Sequence, residues 1–189
     1  MNIQIIRKSS YKNFFVLFTL LISLLSFTNT NAQCETCDVT NPSGNNVTIQ
    51  SGETACITSN ISVNKLELKD GSVLCIAQGA SITVGNNFKT PNNGSVEINV
   101  DGTFTVNNTF NTPNNGSMAL NIEGSMFLGQ VFNIKNEIII NNNGTLSVSG
   151  NVNNNSQALT TINNSGTINF SSQFNSNGNS NLSFINCGT

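Results

Sequence analysis

The chain has no histidine and no tryptophan, and its single tyrosine, Tyr11, lies near the N-terminus. Its last arginine is Arg7. Without an imidazole, nucleophilic catalysis of the Ser-His-Asp or Cys-His kind has no base. Beyond residue 32 the only cations are Lys65, Lys69, Lys89 and Lys135, against nine acids, a net charge of −5. Nucleic-acid binding needs cations to neutralise phosphates and aromatic faces on which bases stack, so this composition argues against it. Long apolar runs are equally scarce. The one present extends only from Phe14 to Phe27. That is short of the roughly 20 residues a membrane-spanning helix needs.

The run follows Arg7, Lys8 and Lys12 and precedes the small residues Thr30-Asn31-Ala32. Basic segment, apolar core and small-residue cleavage site together read as a secretory signal peptide over 1–32, with Gln33 as the first mature residue. Gln33 stands where a lipid-acceptor cysteine at 34 would want Gly or Ala. The mature chain is then expected outside the cell or on its outer surface, with no membrane span.

What the mature part has in abundance is asparagine, 33 of 157 residues, arranged in a repeat. Gly79, Gly102, Gly124, Gly144, Gly166 and Gly188 recur at spacings of 23, 22, 20, 22 and 22. Eight residues before each stand Gly71, Gly94, Gly116, Asn136, Ala158 and Ser180. Eight or nine residues after the main glycines comes a column of Phe88, Phe110, Phe132, Val152 and Phe174. Phe88-Lys89-Thr90-Pro91-Asn92-Asn93-Gly94-Ser95 is nearly repeated as Phe110-Asn111-Thr112-Pro113-Asn114-Asn115-Gly116-Ser117.

Within each unit the apolar period is two. Val96, Ile98 and Val100 alternate with Glu97 and Asn99, and Met118, Leu120 and Ile122 with Ala119 and Asn121. Such alternation marks strands with one face inside. Asn-Asn-Gly and Asp-Gly segments supply turns, because Gly and Asn tolerate positive φ. Short strands cannot bury an apolar face alone, but stacked copies can. The expected fold is therefore all-β: a right-handed parallel β-helix of about six rungs of roughly 22 residues, each with three short strands. An antiparallel sandwich would also alternate but has no need of a fixed period. The inward ladders are expected to be Val96–Met118–Ile138–Thr160–Leu182, Ile98–Leu120–Ile140–Ile162–Phe184 and the Phe88 column. A further column, Ala77, Val100, Ile122, Asn142, Asn164 and Asn186, turns from apolar to amide and reads as a structural asparagine ladder.

Residues 33–70 form an irregular opening, and 71–189 the regular repeats. Cys34, Cys37, Cys56 and Cys75 cluster at the opening and are candidates for disulfides, with the pairing open. The spacing is poor for zinc, and no βαβ pattern surrounds Cys34 and Cys37 to suggest a redox pair. Cys187 is left over. The sequence stops at Gly188-Thr189, where another strand is due, so either a longer polypeptide or a partner stacked end to end is expected to cover the last rung.

Candidate chemistry is sparse. Asp101 and Glu123 share a column on neighbouring rungs, which raises glycoside hydrolysis and a Ca²⁺ site as alternatives to a solvated turn. No resident cofactor is otherwise implied. The outward positions Thr83, Thr103, Thr105, Ser125, Thr145, Ser147 and Thr167 make a hydroxyl-rich face, similar to the threonine ladders of ice-binding β-solenoids and suited also to a glycan. Phe127 and Asn169 interrupt it.

The opening, Val47-Thr48-Ile49-Gln50-Ser51-Gly52 through Leu66-Glu67-Leu68 and Gly71-Ser72-Val73, together with the rungs that follow, resembles secreted, adhesin-like β-helix repeat proteins of Gram-negative bacteria. The resemblance covers residues 44–189. It implies a non-catalytic structural or adhesive surface module, part of a longer adhesin or stalk, whose partners are surface glycans or other cell-surface proteins. An ice- or glycan-binding solenoid is the alternative, and a polysaccharide-active enzyme the third reading.

Overall fold

The computed structural model describes residues 36–189. The expected signal peptide over 1–32 and Cys34 lie outside the described residues. Every described strand pairing is parallel, and the strands fall into three sheets of eight, seven and four members. The chain visits the sheets in turn and returns to each one repeat later, so it winds as a β-solenoid of about six turns.

The eight-stranded sheet carries the main ladders. Asn93–Val100, Asn115–Ile122, Glu137–Asn142, Leu159–Asn164 and Asn181–Asn186 stack in register. Val96, Met118, Ile138, Thr160 and Leu182 are successive partners, as are Ile98, Leu120, Ile140, Ile162 and Phe184. The seven-stranded sheet stacks Ile82, Phe104, Met126, Leu146 and Ile168. The four-stranded sheet stacks Phe110, Phe132, Val152 and Phe174. Phe88 joins this column from the end of Ser81–Lys89, its ring stacked on Phe110 at 4.5 Å. The three inward faces meet in one apolar core running from Val47 to Ile162.

One expected column shifts. Val100 pairs with Ile76, not Ala77. The step from Ile76 to Val100 is longer than any that follows it in the same sheet, and the extra length is taken up in the turn around Gly79. Towards the N-terminus the rungs shorten. Ala55 pairs with Leu74 and Val47 with Leu66, both closer in sequence than any later partners in their sheets. Parallel pairing nevertheless reaches back to Val39–Thr40.

The glycine column also has a different cause from the one expected. Gly79 has positive φ, but the five column glycines after it do not. At Gly102, Gly124, Gly144, Gly166 and Gly188 a Cβ would collide with the carbonyl oxygen of the residue stacked one rung below. That carbonyl is engaged. Gly124 O, for example, accepts the N–H of Thr145 at 2.9 Å, and Gly144 O that of Thr167 at 2.8 Å. These positions need glycine so that the corners of adjacent rungs can touch.

Asparagine holds the stack together on both faces. Inside, Asn142 Nδ2 donates to Asn164 Oδ1 at 2.6 Å, and Asn164 Nδ2 to Asn186 Oδ1 at 2.7 Å. Outside, Asn121, Asn141 and Asn163 each donate to the asparagine below, starting at Asn99, at 2.8–2.9 Å. A second outer ladder joins Asn111, Asn133, Asn153 and Asn175. The inner ladder begins above Ile122, so Asn142 Oδ1 is buried with no partner among the described residues. Asn164→Ala is expected to cost about 2 kcal/mol, because the amides of Asn142 and Asn186 lose their mate. Asn142→Ile with Asn164→Ile is expected to cost less than that, since Val100 and Ile122 occupy the same column without difficulty. Urea unfolding of both variants checks this. A double variant less stable than the single would contradict it.

Candidate functional site

The hydroxyl face lies on the seven-stranded sheet and resolves into two columns. Ser81, Thr103, Ser125, Thr145 and Thr167 are successive register partners. All five are half-buried. The second column runs Thr83, Thr105, Phe127, Ser147, Asn169. Phe127 stands out of it at 41 % exposure. The hydroxyls are outward because Phe104, Val106, Leu146 and Val148, the alternate residues of the same strands, are buried. The structure thus brings the seven predicted hydroxyl residues onto one surface, but only the first column is chemically continuous.

Beside the foot of that column is a depression of about 580 Å³ lined by Asn60, Ser81, Asp101, Thr103 and Ser125 among others. Asp101 and Glu123 follow the paired strands at the same corner of successive rungs. Their amides donate to Ile76 O and Val100 O, each 2.9 Å away. Burial raises the Asp101 pKa above its ordinary 3.8, and the neighbouring Glu123 charge raises it further. Glu123 Oε1 accepts from Asn143 Nδ2 at 2.6 Å, and Asn143 Oδ1 in turn accepts from Ser165. The column thus passes from carboxylate to amide to hydroxyl, and Glu123 is tied into it. Among the described residues, no group of three or more His, Cys, Asp or Glu gathers as metal ligands.

Elsewhere Glu67 accepts from Lys65 and Lys69, which hold its pKa down at about 2. The two carboxylates therefore act on stability in opposite directions. Asp101 binds its proton more tightly folded than unfolded, so its contribution falls as pH rises from 3.8 through its raised pKa. Glu67 contributes above its unfolded value near 4.5, and that contribution is lost as pH falls towards 2. Asp101→Asn is expected to raise the unfolding midpoint at neutral pH, and Glu67→Gln to lower it there, with the Glu67 difference gone near pH 2. Thermal unfolding across pH measures both. Shifts of the same sign would contradict these assignments.

Cys37 and Cys56 form a disulfide that closes the opening turn. Cys75 is buried directly above Cys56 in register, with Asn99 Nδ2 donating to its sulfur at 3.8 Å. Cys187 is exposed beside the last strand. That strand presents Leu182, Phe184 and Ile185 at 44, 49 and 57 % exposure. No described residue lies in a helix long and apolar enough to cross a membrane.

Sequence reasoning missed the two outer asparagine ladders, although the regular recurrence of those asparagines from unit to unit was the available signal. It also left unremarked a groove containing three of the four lysines among the described residues. No protein-family model, curated protein or solved structure matches this chain.

Proposed function

We propose that this chain is a secreted or cell-surface β-helix module with a structural and adhesive role and no catalytic one. The observation that carries the reading is how many asparagine side chains are engaged in the stack itself. The asparagine ladders, the Asn143–Ser165 bond and the glycine corners spend their hydrogen-bonding capacity between rungs. Such a surface suits a stiff, repetitive scaffold better than a reacting centre, whose groups must be left available to substrate. The Cys37–Cys56 bridge fits an oxidising compartment.

Protease shaving of intact source cells, followed by immunoblotting, tests the location, and attachment of a deletion strain to surfaces tests the role. Loss of the protein on shaving and reduced attachment are expected. A protein retained inside the cell, or attachment unchanged by deletion, would count against the reading.

The continuous Ser81–Thr103–Ser125–Thr145–Thr167 column, beside a polar depression, supports a second reading as an ice- or glycan-binding face. Thr105→Tyr with Thr145→Tyr should then abolish ice shaping or glycan retention while leaving the circular dichroism spectrum unchanged. Activity that survives this change removes that face as the site.

A further inference from the structure

Among the described residues the positive charge is gathered, not scattered. Lys69, Lys89 and Lys135 line one groove of about 590 Å³, with Glu67 as its single carboxylate. Glu67 is already engaged by Lys65 and Lys69. No ion pair forms at Lys89 or Lys135 among the described residues. Lys89 is exposed and Lys135 half-buried at the groove wall. The rest of the lining is amide and hydroxyl (Asn87, Thr90, Asn92, Asn111, Asn114 and Thr112), apart from Phe88 and Pro91.

The wall is built by the near-identical Thr-Pro-Asn-Asn turns. Thr90 Oγ1 donates to Asn111 O at 3.1 Å, and Thr112 Oγ1 accepts the Lys135 N–H at 2.9 Å. These bonds tie three consecutive rungs at the groove. Asn114 Nδ2 donates to Asn92 Oδ1 at 2.8 Å, which orients the two turn amides one above the other. The groove is thus a held arrangement of donors and acceptors around two uncompensated cations.

We propose that this groove binds a carboxylated polysaccharide, a polyuronate chain lying across the rungs. Carboxylates would pair with Lys89 and Lys135, and sugar hydroxyls, each both donor and acceptor, would meet the asparagine and threonine side chains. The only aromatic ring in the lining is Phe88, which is 3 % exposed, so no face is offered for base stacking. The lining offers no exposed apolar pocket to the side chains of an acidic peptide. The site is separate from the hydroxyl face, and the inference stands whether or not the chain serves as an adhesive module.

The test is affinity electrophoresis of the full chain through gels containing alginate, dextran or polyglutamate, with calorimetry on a uronate hexamer. Retardation by alginate alone is expected, weakening with added salt. Lys89→Gln with Lys135→Gln should weaken hexamer binding at least about tenfold. Lys89→Arg with Lys135→Arg should keep it, as should the Thr105 and Thr145 variants. If the double glutamine variant unfolds, Lys89→Gln alone, at an exposed position, should show a smaller loss in the same direction. No retardation by alginate, equal retardation by polyglutamate, or hexamer binding unchanged in folded glutamine variants would each overturn the proposal.

Discussion

Gly144→Ala lowers the stability of the solenoid by about 4 kcal/mol, a shift on the order of 10 °C in the unfolding midpoint. The methyl group has nowhere to go. Its nearest neighbour would be the carbonyl oxygen of Gly124, a backbone atom already holding the Thr145 N–H. Relief requires the two rungs to separate at that corner, which breaks the hydrogen bond and opens the ladders on either side. Gly79→Ala is the informative comparison. Gly79 has φ +79° but open space around its added Cβ. Its cost should be about 1 kcal/mol, the strain of a left-handed alanine. Differential scanning calorimetry of both variants separates the two causes. Equal losses would mean that conformation, not contact between rungs, sets the glycine column.

Phe110→Ala is expected to cost a similar amount, about 4 kcal/mol. The Phe110 ring is fully buried and touches three others: Phe88 in a stack, and Phe104 and Phe132 edge to face at 6.5 and 5.3 Å. Truncation leaves a cavity walled by strands that are hydrogen-bonded above and below, so little collapse is available to fill it. Phe127→Ala, one of the few large apolar changes on the outer face, should stay within about 0.5 kcal/mol. Chemical denaturation of the pair measures the contrast. A Phe110 variant as stable as the Phe127 variant would contradict the inward placement of the phenylalanine column.

The inward ladders could be read from the sequence because a parallel, in-register stack places like residues on like. Val96, Met118 and Ile138 share a chemistry only because they share a position. The Ala77 expectation failed where that logic weakens: the turn between Ile76 and Ser81 is two residues longer than its counterpart between Val100 and Thr103, which displaces the frame without disturbing either strand. The role of the column glycines was not legible either. Positive φ is a local property with a local signature, whereas the approach of one rung's corner to the next exists only once the rungs are stacked. Asn99, Asn121 and Asn141 read as ordinary outward polar residues because alternation says which face a side chain takes, not that its amide will meet a copy of itself.

The hydroxyl face was visible in outline, since Thr103, Ser125 and Thr145 repeat with the glycines. The lysine groove was not. Lys69, Lys89 and Lys135 hold different positions within their rungs, and only the path of the chain around the corner between sheets brings them to one hollow.

The central claim is that successive repeat units stack in parallel register. Disulfide trapping tests it most directly, in a Cys187→Ser background. Ser95 and Ser117 are register partners with hydroxyls 2.8 Å apart, and Thr103 and Ser125 are partners in the next sheet. In-register parallel neighbours lie about 4.8 Å apart, inside the range a disulfide spans. Ser95→Cys with Ser117→Cys, and Thr103→Cys with Ser125→Cys, should both crosslink within the monomer on mild oxidation. Ser95→Cys with Glu137→Cys, two rungs apart, should not. An antiparallel arrangement that joined the first pair would carry Thr103 away from Ser125. Crosslinking of one adjacent pair without the other, or of the two-rung pair as readily as either, would contradict the stacked solenoid.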